Sequence, residues 1–368
     1  MLVLNEDQRM LMESARGAIA AKAPIAMWRQ LRAEASPDGF SRAFWRECAE
    51  MGWTGVLVPQ EFGGIDFGVT GAGLIAREMA RTLAPSPLLS TAVLAARALR
   101  RSESAAAKAK WLPRIASGEA IVAFAIDEGP RPTDQTQAMA VKSGEDWLVT
   151  AAKHFVLDGH VADAFLVESR RFAGTPALFL VEAEAPGLTR DARTLVDNRR
   201  VASVALERVQ LQPDAVLGGV SLIEATLDVG RAVVSAALCG VAEEAFARTM
   251  SYLKERKQFD RRIGSFQTLQ HRAAKMHIEI ENSWSATLKA LQALDADAPS
   301  AAFDVAVAKA KASRTACEAT AECLQMHGGV GMTDEFDIGL FLKRARVDSV
   351  LFGDAAFHAD RIAMLLGY

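Results

Sequence analysis

The sequence predicts an α+β fold with segregated parts, and three observations carry that expectation. From residue 5 to about 118, apolar residues recur at helical spacing. From about 119 to 215 the texture changes to short apolar or alternating runs. From 221 onward, long Ala-rich stretches without proline return. Helices, then strands, then helices is the order of an α+β chain rather than of an alternating α/β one. The expected boundaries are 1–118 for a helical N-terminal domain, 119–220 for a β middle domain and 221–368 for a C-terminal helical bundle.

Each part can be justified in order. "QRMLMESARGAIAAKA", "FSRAFWRECAEMGW", "GAGLIAREMARTLA" and "AAAKAKWLPRIASG" each place apolar residues on one helical face, with Gly63-Gly64, Pro85 and Pro87 as punctuation. The strand candidates are "AIVAFAI", "WLVTAAKHFVLD", "DAFLVES", "ALFLVEA" and "VASVALERVQL", with "SGED" and "EAPG" as turn signals. In the last part, "SLIEATLDVGRAVVSAALCGVAEEAFARTMSYLKERKQF", "SFQTLQHRAAKMHIEIENSWSATLKALQAL" and "AAFDVAVAKAKASRTACEATAECLQMH" are too long and breaker-free for isolated surface helices. They predict a packed antiparallel bundle.

Composition narrows the function classes. Half of the 368 residues are hydrophobic, 24% are charged and the formal net charge is −3, so no broad basic surface exists for nucleic acid or an anionic membrane. Cys48, Cys239, Cys317 and Cys323 form no CxxC and no zinc spacing, which is the pattern of a reduced, cytoplasmic chain. "MLVLNEDQRM" turns polar after four residues, and no window holds 18 consecutive apolar residues. Neither secretion nor membrane insertion is expected.

Few stretches carry chemistry by themselves. In "QMHGGVGMTDEFD" Gly328, Gly329 and Gly331 end a helical pattern, and Thr333 or Asp334 could cap the next helix. Both a helix–helix turn and a backbone cradle for phosphate stay open there. A dinucleotide fingerprint after a strand is disfavoured, because a helix precedes the glycines, and no GxxxxGK[ST] occurs. Arg256, Lys257, Arg261 and Arg262 make a local basic patch in "YLKERKQFDRRIGSFQTLQ", which suits either a solvated helix end or phosphate. Asp334, Glu335 and Asp337 read as capping and solvation, so no metal site is expected. The six histidines form no HExxH, and no GxSxG nucleophile elbow is present. In "LFGDAAFH" Asp354 and His358 share a helix face; the stronger reading is Asp354 as an N-cap and His358 as a structural neighbour.

Taken together, these features resemble the acyl-CoA dehydrogenase family. The resemblance spans essentially the whole chain. It rests on "MGWTGVLVPQEFGGIDFG" followed by "REMARTLAP", on "ERKQF" with the later Ile and Gln, and on the glutamine and glycines of "QMHGGVG". It implies a β-barrel-like middle domain, a four-helix C-terminal bundle, FAD as cofactor and an oligomer. Arg256 and Gln267, with Gln325, Met326, His327, Gly328 and Gly329, would then hold the FAD of a neighbouring subunit. The implied reaction removes the α-proton of an acyl-CoA and passes the β-hydrogen to the flavin as hydride, giving the 2-enoyl-CoA. An electron-transfer flavoprotein is the implied acceptor.

The chain also departs from the family. The usual catalytic Glu falls 27 residues after the signature glutamine, where this sequence has Phe352. The alternative Glu position, 26 residues before Arg256, is Gly230. In "AFAIDEGPRPTDQ", Asp127 stands near the expected Thr, and in "FVLD", Phe155 replaces Trp and Leu157 replaces a hydroxyl residue. The catalytic residue is therefore unassigned, with Asp354 and Glu335 as candidate bases. Three expectations follow: one subunit of an unlike-chain dehydrogenase whose partner supplies the base, a self-sufficient homo-oligomer with an atypical base, or a non-catalytic scaffold. Small residues at Gly230 and Ala232 would leave room for a branched or ring-bearing acyl chain.

Overall fold

A capping box starts the first helix, α1 (Glu6–Lys22): Asn5 Oδ1 accepts from the Gln8 amide at 2.8 Å and Gln8 Oε1 from the Asn5 amide at 3.1 Å. The computed structural model describes residues 3–129, 136–171 and 174–368. The chain divides into two compact units, one of 1–27, 73–84 and 231–368, the other of 28–72 and 85–230.

The N-terminal helices continue with α2 (Ile25–Ala33), α3 (Arg42–Glu50), α4 (Gly68–Arg81), α5 (Ala96–Arg101) and α6 (Ala105–Ala116). Ser41 and Ser104 cap α3 and α6 through their hydroxyls, each accepting an amide at 3.2 Å. A π-helical segment, Leu88–Ala95, leads into α5, and all but one of its side chains are buried. The wide turn follows Pro85 and Pro87, which interrupt ordinary helical bonding.

The β region is one eight-stranded sheet: β1 (Val122–Ala125), β2 (Met139–Ser143), β3 (Asp146–Leu157), β4 (Ala164–Arg170), β5 (Pro176–Glu182), β6 (Leu188–Thr194), β7 (Arg200–Leu211) and β8 (Val216–Gly219). Its order is β6-β7-β3-β2-β4-β5-β8, with β1 parallel to β4. The barrel-like expectation is corrected here, for the sheet is open and the end strands β6 and β8 do not pair. The edge strand β6, "LTRDART", is exposed along almost its whole length and carries Arg190, Asp191 and Arg193. Charges of that kind keep an edge from pairing. Strand β3 alternates buried and exposed residues until Lys153, where a register shift against β7 leaves His154 and Phe155 both facing out.

The C-terminal region holds α7 (Val220–Glu255), α8 (Gln267–Asp295), α9 (Ala301–His327), α10 (Ile338–Val350) and α11 (Ala355–Leu365), with α8, α10 and α11 all packed on α9. Four long or medium helices match the expected bundle, and α11 adds a short fifth. By length and composition α7 could cross a membrane, yet 89% of its most apolar window is buried inside the protein, as in a core helix. Between α7 and α8 a small hairpin pairs β9 (Lys257–Gln258) with β10 (Arg261–Arg262).

Candidate functional site

The glycine turn and the basic patch meet through an aromatic contact. Tyr252, in the last turn of α7, stacks on His327, the last residue of α9, with centroids 4.4 Å apart and planes 18° apart. His327 is buried and its Nδ1 faces the Cys323 carbonyl at 2.8 Å, so the proton sits on Nδ1. This stack fixes the end of α7 against the end of α9. Arg256 follows one turn after Tyr252, and Gln325, Met326, Gly328 and Gly329 flank His327. Of these, Met326 is a buried core residue, whereas Arg256, Gln325, Gly328 and Gly329 are exposed.

Local backbone geometry leaves this corner open. Gly328 has φ +66°, where glycine is favoured. Gly329 does not need that freedom, and a Cβ built on it would meet nothing within 4 Å. The chain's own packing therefore gives no reason for glycine at 329. Gln267 is the first residue of α8, whose N-terminus has no side-chain cap. The amide end of that helix is available to an anion beside four exposed cationic side chains.

Sequence reasoning missed the hairpin between those cations. Phe259 and Asp260 form a two-residue turn with φ +54° and +60°, and Phe259 is 84% exposed at its tip. Such turns normally declare themselves through Asn-Gly or Asp-Gly. "QFDR" carries neither, so no turn signal existed. Below the tip, the Arg261 guanidinium lies 3.9 Å from the Phe266 ring centroid.

The turn that carries Phe352 is built in the opposite way. Phe352 is 8% exposed with φ +56°, and Gly353 follows at φ +105°. A Cβ at Gly353 would come 2.3 Å from the Phe357 ring, so both backbone and space demand glycine. Asp354 caps α11, its Oδ1 accepting from the Phe357 amide at 2.8 Å. His358 does not bond to the Asp354 carboxylate; its Nε2 donates to the Phe352 carbonyl at 3.1 Å. Burial, with Lys309 and Arg231 nearby, pushes the His358 imidazole down to about 3, so the ring is neutral. The Asp354–His358 spacing is thus a cap and a turn clamp, not a proton-transfer pair. Glu335, the other candidate base, is an exposed residue on the rim of a groove of about 460 Å³ that also contains Tyr252, Glu255 and Phe336.

In the β region the bulge gathers three of the departing residues. The His154 amide donates to the Asp127 carbonyl at 2.7 Å, joining Asp127 to the bulge that turns Phe155 outward. Phe155 is 48% exposed with φ +54°, whereas Leu157 is 9% exposed and apolar. Burial pushes the Asp127 carboxyl up to about 6, against the pull of Lys153. Lys153 is fully buried and donates to Glu128 at 2.7 Å, Thr136 at 3.0 Å and the Ile126 carbonyl at 3.1 Å. Burial opposes ionisation of Glu128, but hydrogen bonds from Lys153, Thr136 and the Gln137 amide prevail and bring it to about 2. Asp158, at φ +56°, accepts from Ser90 at 2.5 Å, and burial raises its carboxyl to about 6. Residues 130–135 of the "AFAIDEGPRPTDQ" stretch lie outside the described residues.

Comparison with known proteins bears on all three places. Residues 5–119 match the family described as "Acyl-CoA dehydrogenase, N-terminal domain", and residues 218–367 match "Acyl-CoA dehydrogenase, C-terminal domain". The acyl-CoA dehydrogenase FadE12 of Mycobacterium tuberculosis is 31% identical over 323 residues, covering 82% of each chain. A structure titled as a variant of the Tcur3481-Tcur3483 steroid ACAD superposes with TM-score 0.89 at 29% identity, covering 98% of each chain. The ChsE4-ChsE5 complex from Mycobacterium tuberculosis gives TM-score 0.91 at 26% identity, over 100% of this chain and 98% of that one.

Proposed function

The chain belongs to the acyl-CoA dehydrogenase family, and on that premise we propose that it works as one chain of an unlike-chain, FAD-dependent acyl-CoA dehydrogenase. Its related partner supplies the catalytic base. The carrying observation is Phe352: the residue at the family's base position is an aromatic in a turn whose polar groups are already engaged. Gly230 at the alternative position has no side chain at all. Neighbours that are two-chain assemblies by their titles support the pairing.

The residues present fit an FAD diphosphate at the α7–α9 corner. Arg256 presents an exposed guanidinium, the N-terminus of α8 after Phe266 is uncapped, and Gly329 leaves room where a Cβ would stand. Gln267 and Gln325 add amides that can donate to ribose or phosphate oxygens. Met326 and His327 act from beneath, holding the turn's shape rather than touching a ligand. Bound FAD supplies the hydride acceptor for the β-hydrogen of the acyl-CoA. This chain's part is to neutralise the diphosphate and hold the dinucleotide, while a carboxylate of the related chain removes the α-proton. The product is the 2-enoyl-CoA, and an electron-transfer flavoprotein takes the electrons. The steroid relative, together with the small Gly230 and Ala232, favours a ring-bearing acyl group. The place of work is the cytoplasm, in lipid catabolism.

A second reading has this chain as a scaffold whose own β region holds no flavin. It is favoured by Leu157, which cannot donate a hydrogen bond, and by Asp127, which puts a carboxyl where a hydroxyl is expected. One experiment separates the readings. The chain is purified alone and with a co-expressed related chain that retains the Glu, then assayed for flavin absorbance and acyl-CoA-dependent reduction of ferrocenium. Flavin and turnover only in the pair support the proposal. Full turnover by the lone chain overturns it, and a pair whose activity survives Arg256→Ala with undiminished flavin content leaves only the scaffold.

A further inference from the structure

Beneath Phe352 lies a group that the reaction as proposed does not use. Lys309, in the middle of α9, has no exposed surface. Its ammonium donates to the Ser349 carbonyl at 2.9 Å, the Gly353 carbonyl at 2.9 Å and the Ser313 hydroxyl at 3.0 Å. Ser313 in turn donates to the Ser349 carbonyl at 3.2 Å. The three acceptors use all three N–H bonds of an ammonium. None of these acceptors is a carboxylate. Asp348 and Asp354 favour the charged form from nearby, but the ammonium's direct bonds all go to the turn and to Ser313.

What it organises is the backbone from the end of α10 to the start of α11. The carbonyls at 349 and 353 are tied to Lys309. The carbonyl at 352 accepts from Arg231 Nε at 3.3 Å and from His358 Nε2 at 3.1 Å. Arg231 and His358 are also buried, at 3% and 0% exposure. Side chains from α7, α9 and α11 therefore converge on one turn and satisfy its carbonyls. They hold Phe352 at a positive φ that a bulky residue adopts only under constraint.

We propose that Lys309 is a positioning residue: with Arg231 and His358 it fixes the left-handed backbone at residue 352, so the chain keeps a preformed seat for a proton-abstracting carboxylate although it carries none. The part of this concerning a carboxylate rests on the proposed function, in which residue 352 stands at the family's base position; that an acyl thioester can lie beside it belongs to the proposal. The clamp itself does not depend on that placement.

Two measurements keep those claims apart. Amide hydrogen exchange is followed in the co-purified protein, comparing wild type with Lys309→Met, which keeps the length and removes the donors. Exchange within 349–358 should quicken by about tenfold or more while α8 and the first turns of α9 stay within about twofold. Ser313→Ala, which removes one acceptor and is gentler on folding, should give a smaller change of about threefold in the same segment. No change at 349–358, or a uniform change across all helices, overturns the positioning role. The second measurement installs Phe352→Glu, pairs the chain with a related chain whose own catalytic Glu is replaced by Gln, and follows loss of the α-proton of butyryl-CoA, octanoyl-CoA and a steroid-bearing acyl-CoA in heavy water. The new carboxylate takes the α-proton, and the enolate takes deuterium back from solvent. Exchange that appears with Phe352→Glu and falls about tenfold with Lys309→Met, at unchanged thioester affinity, supports the seat. Absence of exchange from Phe352→Glu with every thioester, in a protein whose Lys309→Met counterpart has lost local protection, overturns the thioester placement and leaves the clamp standing.

Discussion

The corner formed by the ends of α7 and α9 and the turn between α10 and α11 lie in the same unit and are both glycine-containing helix junctions, yet they satisfy their polar groups in opposite ways. At the turn, the carbonyls are satisfied internally: Lys309, Arg231 and His358 donate to them, and Asp354 caps the next helix. At the corner, Arg256 and its basic neighbours are exposed, α8 starts without a side-chain cap, and Gly329 faces open space. A junction that has satisfied itself is a structural part. One that leaves donors turned outward can receive an anion, as the proposed function requires of it. The difference separates two motifs that look alike in sequence, each a glycine beside polar residues.

The largest effect that could break this contrast concerns pH. Burial brings Lys309 down to about 7, while the lysine of an unfolded chain stays near 10.5. Between those values the unfolded chain binds a proton that the folded chain does not. Stability from this group therefore rises with pH across that window, and below about 7 the full cost of burying the charge is present. The slope is at most about 1.4 kcal/mol per pH unit for one proton. Denaturant melts at successive pH values should show wild type gaining on Lys309→Met as pH rises from about 7 toward 10. Parallel curves for the two proteins would mean that the amine is not sealed in the turn.

A smaller effect sharpens the other side. Arg256→Ala removes an exposed guanidinium and should leave the melting temperature within about a degree, since exposed charges contribute little to stability. FAD retention by the assembled protein should nonetheless weaken by about 2 kcal/mol, roughly thirtyfold, as for loss of a charge-assisted hydrogen bond. Equilibrium dialysis of FAD measures it directly, and unchanged affinity would remove the corner from cofactor binding.

The smallest effect tests Asp354. As an N-cap it contributes about 1 kcal/mol, so Asp354→Ala should cost that much while Asp354→Asn, an equally good cap, should cost almost nothing. Turnover of the assembled protein should follow stability in both. A stable Asp354→Asn protein with no turnover would make the carboxylate the missing base and undo the structural reading of the turn.

How much of this was legible beforehand depends on where each residue's information resides. The stripes of α1, α3 and α6 and the apolar runs of β1, β4 and β5 could be read because burial is periodic along the chain. Strand β6 could not, because its residues are almost all polar and exposed; it is a strand only because β7 pairs with it. The N-cap role of Asp354 was local, and so readable. The role of Lys309 was not: Lys309 and Lys311 sit two apart in "AKAKAS", and only the packing of α10 and α11 on α9 decides which is buried. The unusual backbone at Phe259 and Phe155 was silent for the same reason. Bulky residues at positive φ are imposed by tertiary structure against their own preference.

The apolar character of α7 reaches beyond the finished protein. Its Cys239 thiol packs against the Ser283 and Thr287 hydroxyls of α8, so the helix acquires part of its cover from chain made after it. During synthesis, a stretch apolar enough to pass for a membrane span leaves the ribosome before α8 and α9 exist to shield it. Apolar surface left uncovered in that interval is prone to aggregation until the later helices arrive. Polar substitutions at buried α7 positions would therefore act in two opposite senses, weakening the finished core while making the uncovered helix less prone to aggregate.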